Sequence, residues 1–244
     1  MQILDDLLNT LDMDVPVRSV LVGAHWTVVC SRHCGMASTF MSSHPHGHNQ
    51  VHDVGQLHLK SARELAELAL STELMEASIG IAAINSLLEV EASQAVESNA
   101  SEVLARLGRG KNVALVGHFP FIPQLRPAVG QLWVIEQNPR DDDYPAEAAA
   151  DLIPQADIVA MTSSALINHT LDGLLSLCPA QATVMLLGPS TPLSPVLFNH
   201  GVNYISGTQV IDESAVMRTV GQGASFRQVE GVKLLTLIHE KEKK

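Results

Sequence analysis

The residues with the clearest chemical potential sit in the run KNVALVGHFPFIPQLRPAVGQLWVIE, where one apolar stretch ends at Gly117 and a second ends at Glu136, nineteen positions on. In nucleotide-handling α/β folds a glycine at a strand's carboxyl end lets the backbone approach a ligand, and an acid closing the next strand accepts ribose hydroxyls. GHFPFI is not GxGxxG, because Gly117 stands alone and Pro120 takes an early helical position, so a pyrophosphate cradle of the NAD type is poorly supported. A ligand without a diphosphate, such as an S-adenosylmethionine-like or pterin-like compound, fits better. On this reading, replacing Glu136 weakens ligand binding and leaves melting nearly unchanged. His118 follows the same strand and is the candidate general acid or base, set against the common alternative of a histidine packed at a domain junction.

Two further stretches supply neutral hydrogen-bonding groups. Thr162, Ser163 and Asn168 lie in TSSALINHT, where hydroxyls and an amide meet a strand end and a helix start, positions that serve equally as ligand contacts or as ordinary caps. Gly188, Ser190 and Thr191 lie in GPSTP, a turn of preset geometry able to present backbone N–H groups to an anion or to act only as a rigid corner. Nucleophilic catalysis has little support, since GxSxG is missing and no local acid accompanies His118 or His169.

Histidine provides a separate signal. Seven of the eleven histidines fall between His25 and His58, with His44, His46, His48 and His52 on a loop that also holds Pro45 and Gly47. Imidazoles at this density can collect a transition metal if the loop folds around it, although HPHGH has no fixed ligand spacing and a surface loop with adventitious affinity reads the same way. Cys30 and Cys34 add soft ligands only if the intervening turn brings them inward.

The elements that must position these groups follow from periodicity. Ile3, Leu4, Leu7, Leu8 and Leu11 have helical spacing, and Pro16 closes that segment. The β-rich runs 18–24, 26–30 and 35–40 read as a small antiparallel meander. Ser61 and Glu64 form a capping box opening a helix over 61–70, and a second helix over 72–90 carries Gly80 among small residues suited to close packing. From Val113 the runs VALVG, LWVIE, DIVAM, TVMLLG and VNYIS alternate with helix-compatible segments, which predicts a mostly parallel sheet covered on both faces. The chain therefore divides into an α+β unit over 1–105 and an α/β unit over 106–244, with the candidate residues along the rim where ligands of open α/β sheets bind.

Composition narrows the partners. A formal charge of -11 with only 15 Lys+Arg disfavours nucleic acid. No apolar stretch approaches the length of a membrane span, and the acidic start MQILDDLLNTLDMD is unlike a signal peptide, which points to a cytoplasmic protein. Three cysteines cannot pair completely, so reduced thiols are expected. A homodimer is plausible through the small-residue helix around AAIN, although the same residues can pack the two units together.

Several stretches taken together resemble the putative heavy-metal chelation proteins of bacteria and archaea: VGAHWTVVC with GMAST, SARELAELALSTELMEASIGIAAINSLL, VALVGHFPFI, VIEQNP, ADIVAMTSSALINHTLDGLL and LLGPSTPLSPVLFNHGVNYISGTQV. The resemblance runs from about residue 18 to residue 222. It implies a small domain similar to the amino-terminal domain of enolase, a Rossmann-like domain after it, and a site between the two. A small-molecule ligand in that cleft is the leading expectation, with group transfer, condensation or hydrolysis as its chemistry. Binding of a heavy metal or metal chelate, in metal homeostasis or cofactor supply, is the alternative.

Overall fold

The structure, a computed structural model, describes residues 1–11, 15–41, 51–90, 94–140 and 142–239. The strands, in chain order, are β1 (Ser19–Val22), β2 (Trp26–Cys30), β3 (Cys34–Ser38), β4 (Ala95–Glu97), β5 (Asn112–Val116), β6 (Gln131–Glu136), β7 (Tyr144–Pro145), β8 (Ile158–Thr162), β9 (Thr183–Leu187), β10 (Tyr204–Val210) and β11 (Val232–Ile238). The helices are α1 (Gln2–Asn9), α2 (Ala62–Glu67), α3 (Leu74–Leu87), α4 (Ala100–Leu107), α5 (Ile122–Leu125), α6 (Ala149–Leu152), α7 (Ser164–Ile167), α8 (Leu171–Ser176) and α9 (Glu213–Gly221).

The first three strands form an antiparallel sheet in the order β1-β2-β3, and the other eight form a sheet in the order β4-β11-β10-β9-β8-β5-β6-β7. The run from β10 through β7 is parallel throughout, while β11 and β4 extend the sheet antiparallel. β4 places residues 95–97 at the edge of the large sheet, paired with β11.

Strand alternation distributes the large sheet between two cores. Ala114, Ile135, Val159, Met161, Val184 and Leu186 face one, while Val113, Leu115, Leu132, Val134, Ile158, Ala160, Met185 and Leu187 face the other with α4 and α5. Burial on both faces explains why these runs are continuously apolar. The first core also contains Ile3, Leu4 and Leu7 of α1, Leu65 of α2 and Ile79, Ile81 and Ile84 of α3, so the small sheet's helices and the large sheet share one apolar interior.

Local chemistry sets the helices. Ser61 Oγ accepts from Glu64 N at 3.2 Å and Glu64 Oε2 accepts from Ser61 N at 2.8 Å, the capping box read from sequence. Burial around all of α3 follows from its small residues: a Cβ at Gly80 would lie 1.9 Å from Ala69 N, and one at Gly35 would lie 2.2 Å from Ala82 O. Only glycine lets the turn at residues 68–70 after α2, and β3, approach α3 this closely. α1 packs against Pro195–His200, where His200 Nε2 meets Asp6 Oδ2 at 2.9 Å, and Arg63 Nη1 donates to Leu8 O and Leu11 O at its carboxyl end. No described helix is long and apolar enough to cross a membrane.

Candidate functional site

The large sheet reverses its direction of growth at β5, because β6 follows on one side and β8 returns on the other. Open α/β sheets bind ligands at such a switch, beyond the strand carboxyl ends. Gly117 leaves β5 at φ +105°, and a Cβ there would meet Thr162 Cβ at 3.0 Å and Phe119 Cε2 at 3.2 Å. The glycine is thus required by the neighbouring strand end as much as by any ligand.

On the β5–β6 side the structure adds a residue that the sequence reading missed. His118 Nδ1 lies 2.8 Å from Asp143 Oδ2, and the Asp143 side chain is only 3% exposed against 24% for His118. Asp143 also accepts from Arg140 N at 3.1 Å, which holds the carboxylate in the turn before β7. The acid absent from the neighbourhood of His118 in sequence is therefore 25 residues downstream in the chain and adjacent in space. The acidic run that ends at Asp143 was its only trace in the sequence.

Glu136 is organised differently from the expectation. Its Oε2 accepts from His118 N at 2.8 Å, and its Oε1 accepts from Gln137 N at 2.8 Å and Asn138 N at 3.3 Å. The carboxylate ties the turn after β5 to the turn after β6, and a ribose would have to share oxygens already engaged by these amides.

The other candidates divide into local caps and contacts between the units. Thr162 Oγ1 accepts from Ser164 N at 3.3 Å, and Asn168 Oδ1 accepts from Thr170 Oγ1 at 2.7 Å and Thr170 N at 3.3 Å. Both are turn-stabilising arrangements. Ser163 is buried beneath Gly188, where φ is +127° and an added Cβ would lie 2.9 Å from Ser163 Oγ. Ser190 Oγ accepts from Ser38 N at 2.8 Å and donates to Ser38 Oγ at 3.2 Å, and Ser190 O accepts from Asn85 Nδ2 at 3.2 Å. Ser38 Oγ in turn lies 3.5 Å from Ser164 Oγ. The GPST turn consequently clasps β3 to the large sheet.

Further along β3, a cavity of about 40 Å³ is lined by His33, Cys34, Asn85, Thr191, Thr208 and Gln209, among others. That volume holds at least one water-sized group. Asn85 Oδ1 and Thr191 Oγ1 are buried with no hydrogen-bond partner among the described residues. Unpaired buried polar atoms are rare and costly, which sets this seam apart from the rim.

Of the metal-ligand histidines read from sequence, His44, His46 and His48 lie outside the described residues. His52 is engaged elsewhere: its backbone N donates to Glu76 Oε1 at 2.9 Å and its Nδ1 lies 2.7 Å from the same oxygen, while Ser71 Oγ donates to Glu76 Oε2 at 2.6 Å. The hydrogen bond and charge of Glu76 raise the His52 pKa. Burial works to raise the Glu76 pKa, yet the donors from His52 and Ser71 outweigh it and the net shift is downward. Cys30 and Cys34, expected as reduced thiols, form a disulfide across the β2–β3 turn, because direct register partners on a three-residue turn bring their Cα atoms to 4.1 Å. Cys178 is free, and burial pushes its thiol up to about 11.

Comparison with known proteins then places the chain. Residues 99–238 match the DUF364 family profile and residues 4–88 match DUF4213, both described as putative heavy-metal chelation. The chain belongs to the DUF364 family. Uncharacterized protein MJ0500 of Methanocaldococcus jannaschii is 27% identical over 185 residues, 73% of this chain and 70% of that protein. A crystal structure of a DUF364 protein of unknown function from Desulfitobacterium hafniense superposes with a TM-score of 0.86 at 29% identity, covering 98% of both chains. A DUF364 protein from Pyrococcus horikoshii, 19% identical, shares the fold with a TM-score of 0.82 over 97% of this chain and 100% of that one. These DUF364 structures share the small antiparallel sheet joined to a larger, mostly parallel one.

Proposed function

We propose that the protein binds a small polar metabolite in the crevice between β5 and β8 and moves a proton on it through His118. The observation carrying this reading is the 2.8 Å contact between His118 Nδ1 and the buried Asp143 carboxylate at the sheet's switch point. A carboxylate on Nδ1 fixes the imidazole's tautomer and orientation and leaves Nε2 as the reactive nitrogen. The half-buried Thr162, Ser164 and Ser38 would line the facing wall, with Gly117, Gly188 and the buried Ser163, Ser190 and Thr191 shaping the turns around it. Group transfer, condensation or hydrolysis suits such a polar crevice. Adenosyl-like and pterin-like compounds are the ligands to screen first, recognised by these hydroxyls rather than by Glu136.

A heavy-metal chelate is the second reading, favoured by the family description. The His118–Asp143 pair is compatible with it, since metal-binding imidazoles commonly donate their other ring N–H to a carboxylate. Native mass spectrometry of freshly purified protein, paired with elemental analysis, separates the two. An organic adduct without metal, bound more than about tenfold more weakly by His118→Ala, supports the metabolite reading. A stoichiometric metal lost in His118→Ala supports the chelate. Binding of every screened ligand unchanged in both His118→Ala and Asp143→Asn would sink the crevice as the site.

A further inference from the structure

Away from that crevice, Cys30, Cys34 and the Glu213 carboxylate place one ligand atom each within 4.8 Å of one another. Among the described residues this is the group of histidine, cysteine and acidic side chains close enough to share an ion. The sulfurs face α9, in a cluster with Met36, Val216, Val220 and Ala224, and Cys30 and Cys34 are 0% and 8% exposed. Their backbone is held firmly. Ser31 Oγ lies 2.6 Å from Ser86 Oγ, His33 N donates to Ser86 O at 3.0 Å, and Gly35 is pressed onto α3.

Glu213 is also positioned from outside. Arg18 Nε donates to Ser31 O at 2.8 Å, and Arg18 Nη1 meets Glu213 Oε2 at 2.6 Å, so the arginine ties the start of α9 to the hairpin that carries both cysteines. This arrangement engages one carboxylate oxygen and leaves the other for an ion. Cys34 lines the 40 Å³ cavity where the Asn85 and Thr191 polar atoms have no partner. Thr191 is 1% exposed.

We propose that reduced Cys30 and Cys34, with Glu213, form a site for a thiophilic divalent ion of the zinc or cadmium type. Two thiolates and a carboxylate make a soft donor set with three protein ligands, the number that leaves a fourth, exchangeable position in a tetrahedral shell. A water or small exchangeable ligand would complete the shell. Two thiolates, a carboxylate and a divalent ion sum to one negative charge, which Arg18 neutralises.

The structure holds the site in its closed form, with both sulfurs committed to each other. Opening it requires a dithiol reductant: the protein S–S bond breaks, two electrons and two protons pass to the cysteine sulfurs, and the reductant becomes a cyclic disulfide. Metal binding then releases the two thiol protons. The inference stands independently of His118 and of the crevice.

The experiment titrates Cd2+ alone into three preparations of the whole protein, each freed of small molecules under anaerobic conditions: dithiol-reduced wild type, oxidised wild type and reduced Glu213→Gln. Cadmium–thiolate absorption, elemental analysis and thiol counting are the readouts. Reduced wild type is expected to bind one Cd2+ with a thiolate charge-transfer band and to lose two reactive thiols on binding, while oxidised protein shows neither. Glu213→Gln, which leaves both buried sulfurs in place, is expected to bind at least about tenfold more weakly. Cys30→Ser/Cys34→Ser should lose the band, with circular dichroism checking its fold. His118→Ala and His44→Ala/His46→Ala/His48→Ala should retain it, which separates this site from the crevice and the histidine loop. Absence of the band in reduced wild type, or equal Cd2+ affinity in Glu213→Gln, overturns the proposal.

Discussion

The rim beyond β5 and β6 and the seam along β3 are both polar and partly buried, yet they treat their polar groups in opposite ways. At the rim, Glu136 gathers the amides of His118, Gln137 and Asn138, and Asp143 gathers His118 and the amide of Arg140. At the seam, Asn85 Oδ1 and Thr191 Oγ1 are left without partners beside a cavity. A satisfied carboxylate at a strand end is a structural device first, whereas an unsatisfied hydroxyl in a closed seam is a cost the fold carries. Position in the fold and hydrogen-bond state therefore point to different residues as the ones available to a ligand.

The largest effect expected comes from the packing of α3, the helix that carries Asn85 into the seam. Gly80→Ala would drive a methyl into the turn at residues 68–70 after α2, and destabilisation of about 3 kcal/mol or more is expected, measured by urea unfolding. A loss under about 1 kcal/mol would mean that residues 68–70 and α3 separate easily.

Glu136→Gln is the next test, and it reverses the expectation drawn from sequence alone. A neutral amide oxygen is a weaker acceptor for the amides it replaces the carboxylate for, and its NH2 opposes at least one of them. A loss of about 1–3 kcal/mol is expected, lowering Tm by several degrees. An unchanged Tm alongside weakened ligand binding would restore Glu136 as a ligand contact.

Ser190→Ala removes the acceptor for Ser38 N and should cost about 1 kcal/mol, with faster amide exchange at Ser38 as the local readout. Unaltered exchange there would show that the clasp between β3 and the GPST turn is replaceable by solvent.

The smallest effect is a pH dependence. The raised His52 pKa contributes stability below its unfolded value of 6.5 that is lost as pH rises through the folded value. The lowered Glu76 pKa contributes stability above its unfolded value of 4.5 that is lost as pH falls through the folded value. Protection of the His52 amide should therefore be greatest between these values and fall on both sides. In Glu76→Gln the dependence should flatten, and a profile identical to wild type would remove the pair as its origin.

Much of the scaffold was legible because it depends on local periodicity. The meander, the Ser61–Glu64 capping box, the close approach at Gly80 and the parallel strands each follow from a few neighbouring residues. The site was less legible. Asp143 meets His118 through the β6–β7 turn, Glu213 reaches the Cys30–Cys34 hairpin across most of the chain, and β4 adds to the large sheet through pairing with β11. Such contacts are fixed by topology, and no spacing rule within a single stretch reports them. Glu136 was found for its position, but its use by backbone amides could not be read from residue type.

The packing of α1 on residues 195–200 has a consequence for synthesis. During synthesis α1 must wait for a partner nearly two hundred residues behind it, about 10–40 s at ordinary elongation rates. Throughout that interval the Ile3, Leu4 and Leu7 stripe lacks part of its final cover. The apolar stripe of α1 thus gains from chaperone cover during that interval, and the arrival of residues 195–200 ahead of β10 ends the need for it.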